Sequence, residues 1–331
     1  MYYEANGFGA RCGILYCQFQ VGCSAPIYEH VRGYFHLEHT SIAMPSRRDF
    51  LTGTAMAMGA SSLAGAVPSV QTIQDVIDLI TANIPGAPWE GSVDTVKSGD
   101  PTRPITGIVT TFLATGAVIE EAIRSGANLV ITHEPTYYNH LDETDWLEHD
   151  AVYLAKRTIL EEHGIVVWRF HDYWHRYEPD GIATGVLRLL GWEEYAHPGQ
   201  PDLCTIPPVR LSELVVFLKS RFGTPVARVM GDPDAECSNI GLLVGAWGGR
   251  RQISYLGRED VDVLVCGEVS EWETPEYVRD AALAGRRKAL IILGHALSEE
   301  PGMQWLAEWL QPQVPDIPVQ HVATGDPYRY V

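Results

Sequence analysis

Basic charge is scarce in this sequence. Lysine and arginine number 24 against 42 aspartates and glutamates, a formal net charge of −18, so the average surface repels phosphate backbones and anionic lipid. The longest basic clusters, Arg250-Arg251 and Arg286-Arg287-Lys288, are short, and no nucleic-acid partner is expected. Six cysteines are present: Cys12, Cys17 and Cys23 near the start, Cys204, Cys237 and Cys266 in the body, none in C-x-x-C spacing. That pattern argues against a structural zinc knuckle and against a disulfide framework. No serine nucleophile elbow, P-loop or dinucleotide fingerprint is found, and the glycine-rich GAWGG at 245–249 lacks the spacing such loops require. What is there is a chain of 331 residues with 46% hydrophobic content, enough to bury a large core in one or two domains.

The first 66 residues read as an address. From Met44 the chain runs MPSRRDFLTGTAMAMGASSLAGAVPS. The arginine pair Arg47-Arg48 is followed by Phe50-Leu51, a mildly apolar stretch of small residues, and Ala64-Gly65-Ala66, which has the small-x-small form of a cleavage site. This resembles a Tat-type export signal. The apolar stretch falls well short of the ~20 residues a spanning helix needs, so no stable membrane span is expected. Export signals belong at the N-terminus, which makes residues 1–43 an over-extended start and Met44 the expected initiator. The mature chain would begin near Val67 and act in the periplasm or outside the cell.

In the body, strands and helices alternate. Ile73, Val76, Ile77, Ile80 and Ile84 recur at helical spacing behind a Thr72–Asp75 capping box. A strand is expected over Ile105 to Leu113, with Thr115 as the cap of the next helix and Gly126 as its stop. Further strands are expected at 128–132, 165–170, 227–230, 240–244, 261–266 and 289–293, with helices at 147–163, 181–190, 211–222, 275–284 and 303–310. Strands separated by helices of this length indicate β-α-β units with mainly parallel pairing. The reading is an α/β fold of two lobes, 67–200 and 201–331, meeting near the proline-rich stretch 198–208, with a metal site between them.

The strand ends carry the chemistry. In open parallel sheets, ligands collect where neighbouring strands release their carboxyl ends. One such strand delivers His133 and Glu134. The next delivers His171, Asp172 and, four residues after His171, His175. The strand at 261–266 delivers Glu268, and the strand at 289–293 delivers His295 with Glu299 four residues on, a separation that sets both on one face of a helix. Imidazoles and carboxylates drawn from His133, Glu134, His171, His175, His295 and Glu299 suit zinc, iron or manganese better than calcium. The set is large for one divalent ion and adequate for two if a carboxylate bridges. Glu268 and Asp172 are the candidate proton shuttles, although Glu268 could equally cap a helix and Asp172 could orient a histidine. Tyr137, Tyr138, Asn139 and His140 follow the first donors on a loop that either lines a substrate pocket or packs as an ordinary rim. Taken singly, His140, His149, His163 and His197 read as surface residues.

At these residues the chain resembles the Nif-three-like family, dinuclear-metal hexameric proteins labelled GTP cyclohydrolase type-two-like. The likeness is carried, in order, by TGIVTTFLATGAVIEEAIRSGANLVITHEP, HDYWH with DGIATGVLRLLGW, RLSELVVFLKSRFGTPVARVMGDPD, GAWGG, VDVLVCGE and GHALSE. Family members ordinarily show consecutive histidines where this chain has His133-Glu134, and an aspartate where it has His175. This paired exchange keeps the donor set and its charge nearly constant. The resemblance implies a metal-binding role for His133, Glu134, His175, His295 and Glu299, a ring-shaped homohexamer with sites facing an internal cavity, and a small-molecule substrate. A metal-dependent hydrolase is the leading expectation. The alternative is a non-enzymatic metal-binding or scaffold protein acting through its oligomer.

Overall fold

The computed structural model describes residues 70–331, so the export signal read at 44–66 and the start read at 1–43 lie outside the described residues. Helix α1 (Ile73–Thr81) opens on its capping box, Thr72 accepting from the Asp75 N–H while Asp75 accepts from the Thr72 N–H. Strands β1 (Val96–Ser98) and β2 (Ile108–Thr111), helix α2 (Gly116–Ser125), strand β3 (Leu129–Thr132), helix α3 (Ala151–His163), strand β4 (Val166–Arg169), helix α4 (Asp172–Arg176) and helix α5 (Gly181–Leu190) follow. Next come β5 (Ala196–His197), β6 (Gln200–Arg210), α6 (Leu211–Phe222), β7 (Arg228–Met230), β8 (Glu236–Leu243), α7 (Gly249–Leu256), β9 (Val263–Cys266), α8 (Thr274–Ala281), β10 (Ala289–Ile292), α9 (His295–Leu310) and β11 (Val319–His321).

These strands form two sheets, ordered β1-β4-β3-β2-β11 and β5-β6-β8-β9-β10-β7. Pairing is parallel through β4-β3-β2-β11 and through β8-β9-β10, and antiparallel at β1, β5, β6 and β7. The central strands are buried along their whole length, as strands covered on both faces must be. Their side chains alternate between layers. Ile108, Leu129, Ile131 and Trp168 of the first sheet share one core with Ile240, Val263, Val265 and Ile291 of the second, with Val186 of α5 and Met303 and Leu306 of α9 between them. Val109, Val130 and Val167 face the other way, onto α2 and α3. Leu243, Leu264 and Leu290 pack outward onto α7 and α8. The order of layers is therefore helix, sheet, helix, sheet, helix, with α5 and α9 in the middle.

Three differences from the sequence reading have physical causes. The stretch 198–208, read as the seam between lobes, contributes the 11-residue β6; Pro207 and Pro208 sit where its register against β8 breaks between Thr205 and Val209, a place where a missing N–H costs no ladder bond. Helix α9 runs continuously from His295 through Pro301 instead of starting at 303. Strand β11 returns from the end of the chain to pair with β2, so the first sheet is not contiguous in sequence.

The middle layer depends on close helix approach. A Cβ at Gly185 of α5 would stand 2.3 Å from the Pro301 carbonyl oxygen and 2.6 Å from Gly302 Cα, and one at Gly302 would meet Ile182 Cα at 2.5 Å. Backbone cannot give way as a flexible side chain can. Gly185→Ala is expected to cost about 2 kcal/mol, within the range of overpacked cores, measured as a lower urea midpoint. Gly116→Ala, where an added Cβ meets nothing within 4 Å, is the control that should leave the midpoint unchanged or raised.

Candidate metal centre

The carboxyl ends of strands from both sheets converge on one cluster. His133 and Glu134 follow β3, His171 precedes α4 and His175 lies within it after β4, and His295 and Glu299 lie one turn apart at the start of α9. One oxygen of Glu299 lies 3.0 Å from His295 Nε2 and 3.6 Å from His133 Nε2. One oxygen of Glu134 lies 3.4 Å from His295 Nε2 and 3.9 Å from His171 Nε2. The His133 ring centroid is 4.6 Å from that of His171 and 5.0 Å from that of His175. Two overlapping groups have all their donor atoms within 4.8 Å of one another: His133, His171 and His175, and His133, Glu134 and Glu299.

The rings are held from behind. His133 Nδ1 lies 3.2 Å from the Phe170 carbonyl, which can only accept, so Nδ1 carries the proton and Nε2 presents a lone pair. His171 Nδ1 meets Asp172 at 2.9 Å, and His175 Nδ1 meets Asp180 at 2.9 Å. His295 Nδ1 has Glu268 at 3.4 Å. All four histidines are thus oriented through Nδ1, the arrangement by which outer groups fix the tautomer of metal-ligating imidazoles. The fit to a metal is tested most directly by His133, whose Nε2 is fully buried and has no hydrogen-bond partner. A buried polar atom left unpaired costs about 1–3 kcal/mol, and an electrophile between the carboxylates would satisfy it.

Charge distribution agrees with that fit. Burial, reinforced by His171 and His175, holds His133 well below the ordinary histidine range, so it stays neutral. Burial works against charge at His295, but the Glu134 and Glu299 carboxylates bonded to it outweigh this and push it up to about 10. Burial likewise opposes charge at His175, and Asp180 overrides it, to about 8. The carboxylate side of the cluster draws positive charge to itself.

Residues remote in sequence hold this geometry. Asp94 accepts from the backbone N–H groups of His171, Asp172 and Tyr173 at 2.7–3.0 Å, capping α4, which explains why the unpromising DYW turn is helical. Arg169, fully buried, donates to the carbonyls of His133 and His140 and to Glu134. Gly245 is pressed so closely on Glu299 that a Cβ would lie 2.0 Å from its carboxylate. The same turn carries Trp247, whose ring stands 6.0 Å from that of His175 and 3.8 Å from the Arg251 guanidinium.

Of the candidate shuttles, Asp172 lies behind His171, with its second oxygen accepting from Ser92 and Val93. Glu268 stands at the exposed rim beside His295. In the loop after Glu134, Tyr137 is buried against Tyr153 and Asn139 ties the loop to itself through Tyr137, Leu141 and Glu143. His140 alone of that loop has its ring near the donors, 6.0 Å from His171.

On α3, on the face that carries the buried Tyr153 and Leu160, an ammonium is partly buried. Lys156 Nζ donates to the Thr136 carbonyl at 2.7 Å, and burial lowers it to about 8 although Asp142 pulls the other way. A base depressed in the folded state contributes stability that is present above its unfolded value near 10.5 and lost as pH falls through the folded value near 8. Wild type should therefore gain on the Lys156→Met variant, by up to about 3 kcal/mol, as pH rises from 7 to 10.5. Urea melts of both at the two pH values check the sign.

An imidazole–carboxylate centre where two α/β sheets meet defines the class of protein. The chain belongs to the Duf34/NIF3 (NGG1p interacting factor 3) family, whose model matches residues 73–327. Among curated relatives it is 22% identical to a "GTP cyclohydrolase 1 type 2 homolog" of Clostridium perfringens, over 78% of this chain and 99% of that one. Among solved structures it is similar to a Bacillus cereus protein related to NIF3, with TM-score 0.65, 15% identity, and coverage of 80% of this chain and all of the other. A hypothetical protein of Staphylococcus aureus matches with TM-score 0.63 and 19% identity over the same shares. Among the described residues no helix is long and apolar enough to cross a membrane.

Proposed function

We propose that this chain is a divalent-metal-dependent hydrolase acting on a small molecule, with His133, Glu134, His171, His175, His295 and Glu299 as the donors for one or two ions of zinc, iron or manganese. The observation that carries the reading is the unpartnered, fully buried Nε2 of His133, set between Glu299 and two further oriented imidazoles. Six donors exceed the four of a tetrahedral site, and two carboxylates each standing between two imidazoles suit a pair of ions. When bound, the metal supplies Lewis acidity and lowers the pKa of water toward neutrality.

The chain's own groups do the remainder. Glu268, more than half exposed and beside His295, takes the proton from the attacking water and passes it to the leaving group or to solvent. Asp172 and Asp180 keep His171 and His175 turned inward. Trp247 and His140 flank the mouth, where they contact the organic part of the substrate. The names of the curated relatives point to GTP, but the S-R-R-x-F-L at 46–51 supports export, away from the cytoplasmic nucleotide pool. We favour a phosphoester or a cyclic amide of another kind. The family likeness supports a homohexamer.

The test is metal analysis of the purified chain followed by hydrolysis assays on generic phosphoesters and cyclic amides, with His295→Ala as control. Stoichiometric metal with turnover that His295→Ala abolishes supports the hydrolase. Stoichiometric metal with no turnover on any substrate, unchanged by added metal, overturns it in favour of a metal-binding scaffold.

A further inference from the structure

The cleft between α2 and α3 is separate from the metal centre, and none of the six donors lines it. Its volume is about 360 Å³, at the small end of sites that hold small organic molecules. Leu113, Ile119, Val152 and Ile159 form its walls, Tyr138 one end, and Lys156 and Glu120 supply its charges. Val152, Ile159 and Tyr138 are 64%, 39% and 55% exposed, so apolar surface that would gain from being covered stands open around a single ammonium.

Lys156 is the informative group. It is partly buried, rests near the Tyr137 and Tyr138 rings, and makes its one hydrogen bond to a neutral carbonyl. It has no ion-pair partner among the described residues, because the nearby Asp142 is taken up by Lys97 and Arg169. A cation withdrawn from water whose nearest carboxylate is already shared with two other cations is costly, and burial depresses its pKa even with Asp142 nearby. A monoanion in the cleft would complete the pair. A doubly charged phosphate is disfavoured by Glu120 at the same cleft and by the net charge of −18.

We propose that this cleft binds a small amphiphilic carboxylic acid, its carboxylate on Lys156 and its aliphatic body against Leu113, Ile119, Val152 and Ile159. The inference is independent of the hydrolase reading. Titration of the full chain with octanoate by calorimetry tests it, with octanol as the uncharged comparator. Octanoate is expected to saturate one site per chain. Lys156→Met should weaken octanoate about tenfold or more, the effect of losing a charge-assisted hydrogen bond, and leave octanol unchanged. Lys156→Arg should retain octanoate binding. Val152→Trp, which fills the cleft from an exposed helix position, should weaken both compounds, and it serves in place of the methionine variant if that one fails to fold. Absence of saturable octanoate binding by the wild type overturns the proposal. So does octanoate binding that neither Lys156→Met nor Val152→Trp weakens, or a cleft blocked by self-association of the chain at the titration concentration.

Discussion

Replacing His133 by alanine is expected to remove tight metal binding altogether. His133 is the member common to both donor groups, so its loss breaks the three-imidazole set and the carboxylate set together. The fall in affinity should exceed the ~10–100-fold that follows loss of an orienting partner, and Asp180→Asn, which frees His175 without touching a donor, supplies that smaller value for comparison. Chelator competition on folded protein measures both. A His133→Ala chain that holds metal as tightly as wild type would show that the ion is held elsewhere and that this cluster is a buried polar network.

Arg169→Met is expected to be the most destabilising single change outside the apolar core, at about 3–5 kcal/mol. The guanidinium is completely buried and lies 3.3 Å from Glu134 and 3.9 Å from Asp142, with the His133 carbonyl at 3.2 Å. Removing one partner of a buried charge network leaves the others uncompensated, which costs far more than the network contributes against a well-packed apolar substitute. Because the pair with Glu134 is shielded from solvent, added salt should not rescue the variant. A shift in urea stability below about 1 kcal/mol would refute the assignment. The change should also loosen Glu134, so metal affinity and stability are expected to fall together.

The candidate donors are legible in the sequence because each obeys a local rule. The apolar runs set strand ends at 132, 170 and 293, within one residue of those observed, and the separation of His295 from Glu299 matches one helical turn. The groups that aim those donors were not legible in the same way. Asp94 reaches the start of α4 from 77 residues upstream of His171, and nothing in its own neighbourhood marks it. Asp180 is within reach of such reading, since it caps α5 five residues after His175. Arg169 left a plain trace that went unused: a charge inside the apolar run VVWRF has to find partners. Strands β1 and β11 have three residues each, too few for any period to register. Helix α9 was read only in pieces because Pro301 removes a backbone donor. In the fold, contact of that proline's carbonyl side with Gly185 and the Trp174 indole bonded to Gly302 hold the two turns in line.

The return of β11 to the side of β2 bears on how the molecule comes into being. The first sheet gains its last strand only when residues 319–321 arrive, and two of the six donors sit on the helix just before it. A nascent chain still short of residue 295 has His133, Glu134, His171 and His175 but neither His295 nor Glu299. Contacts so far apart along the polymer form late and slowly. An ion held by all six candidate donors would therefore enter after synthesis, on a chain that is already nearly whole.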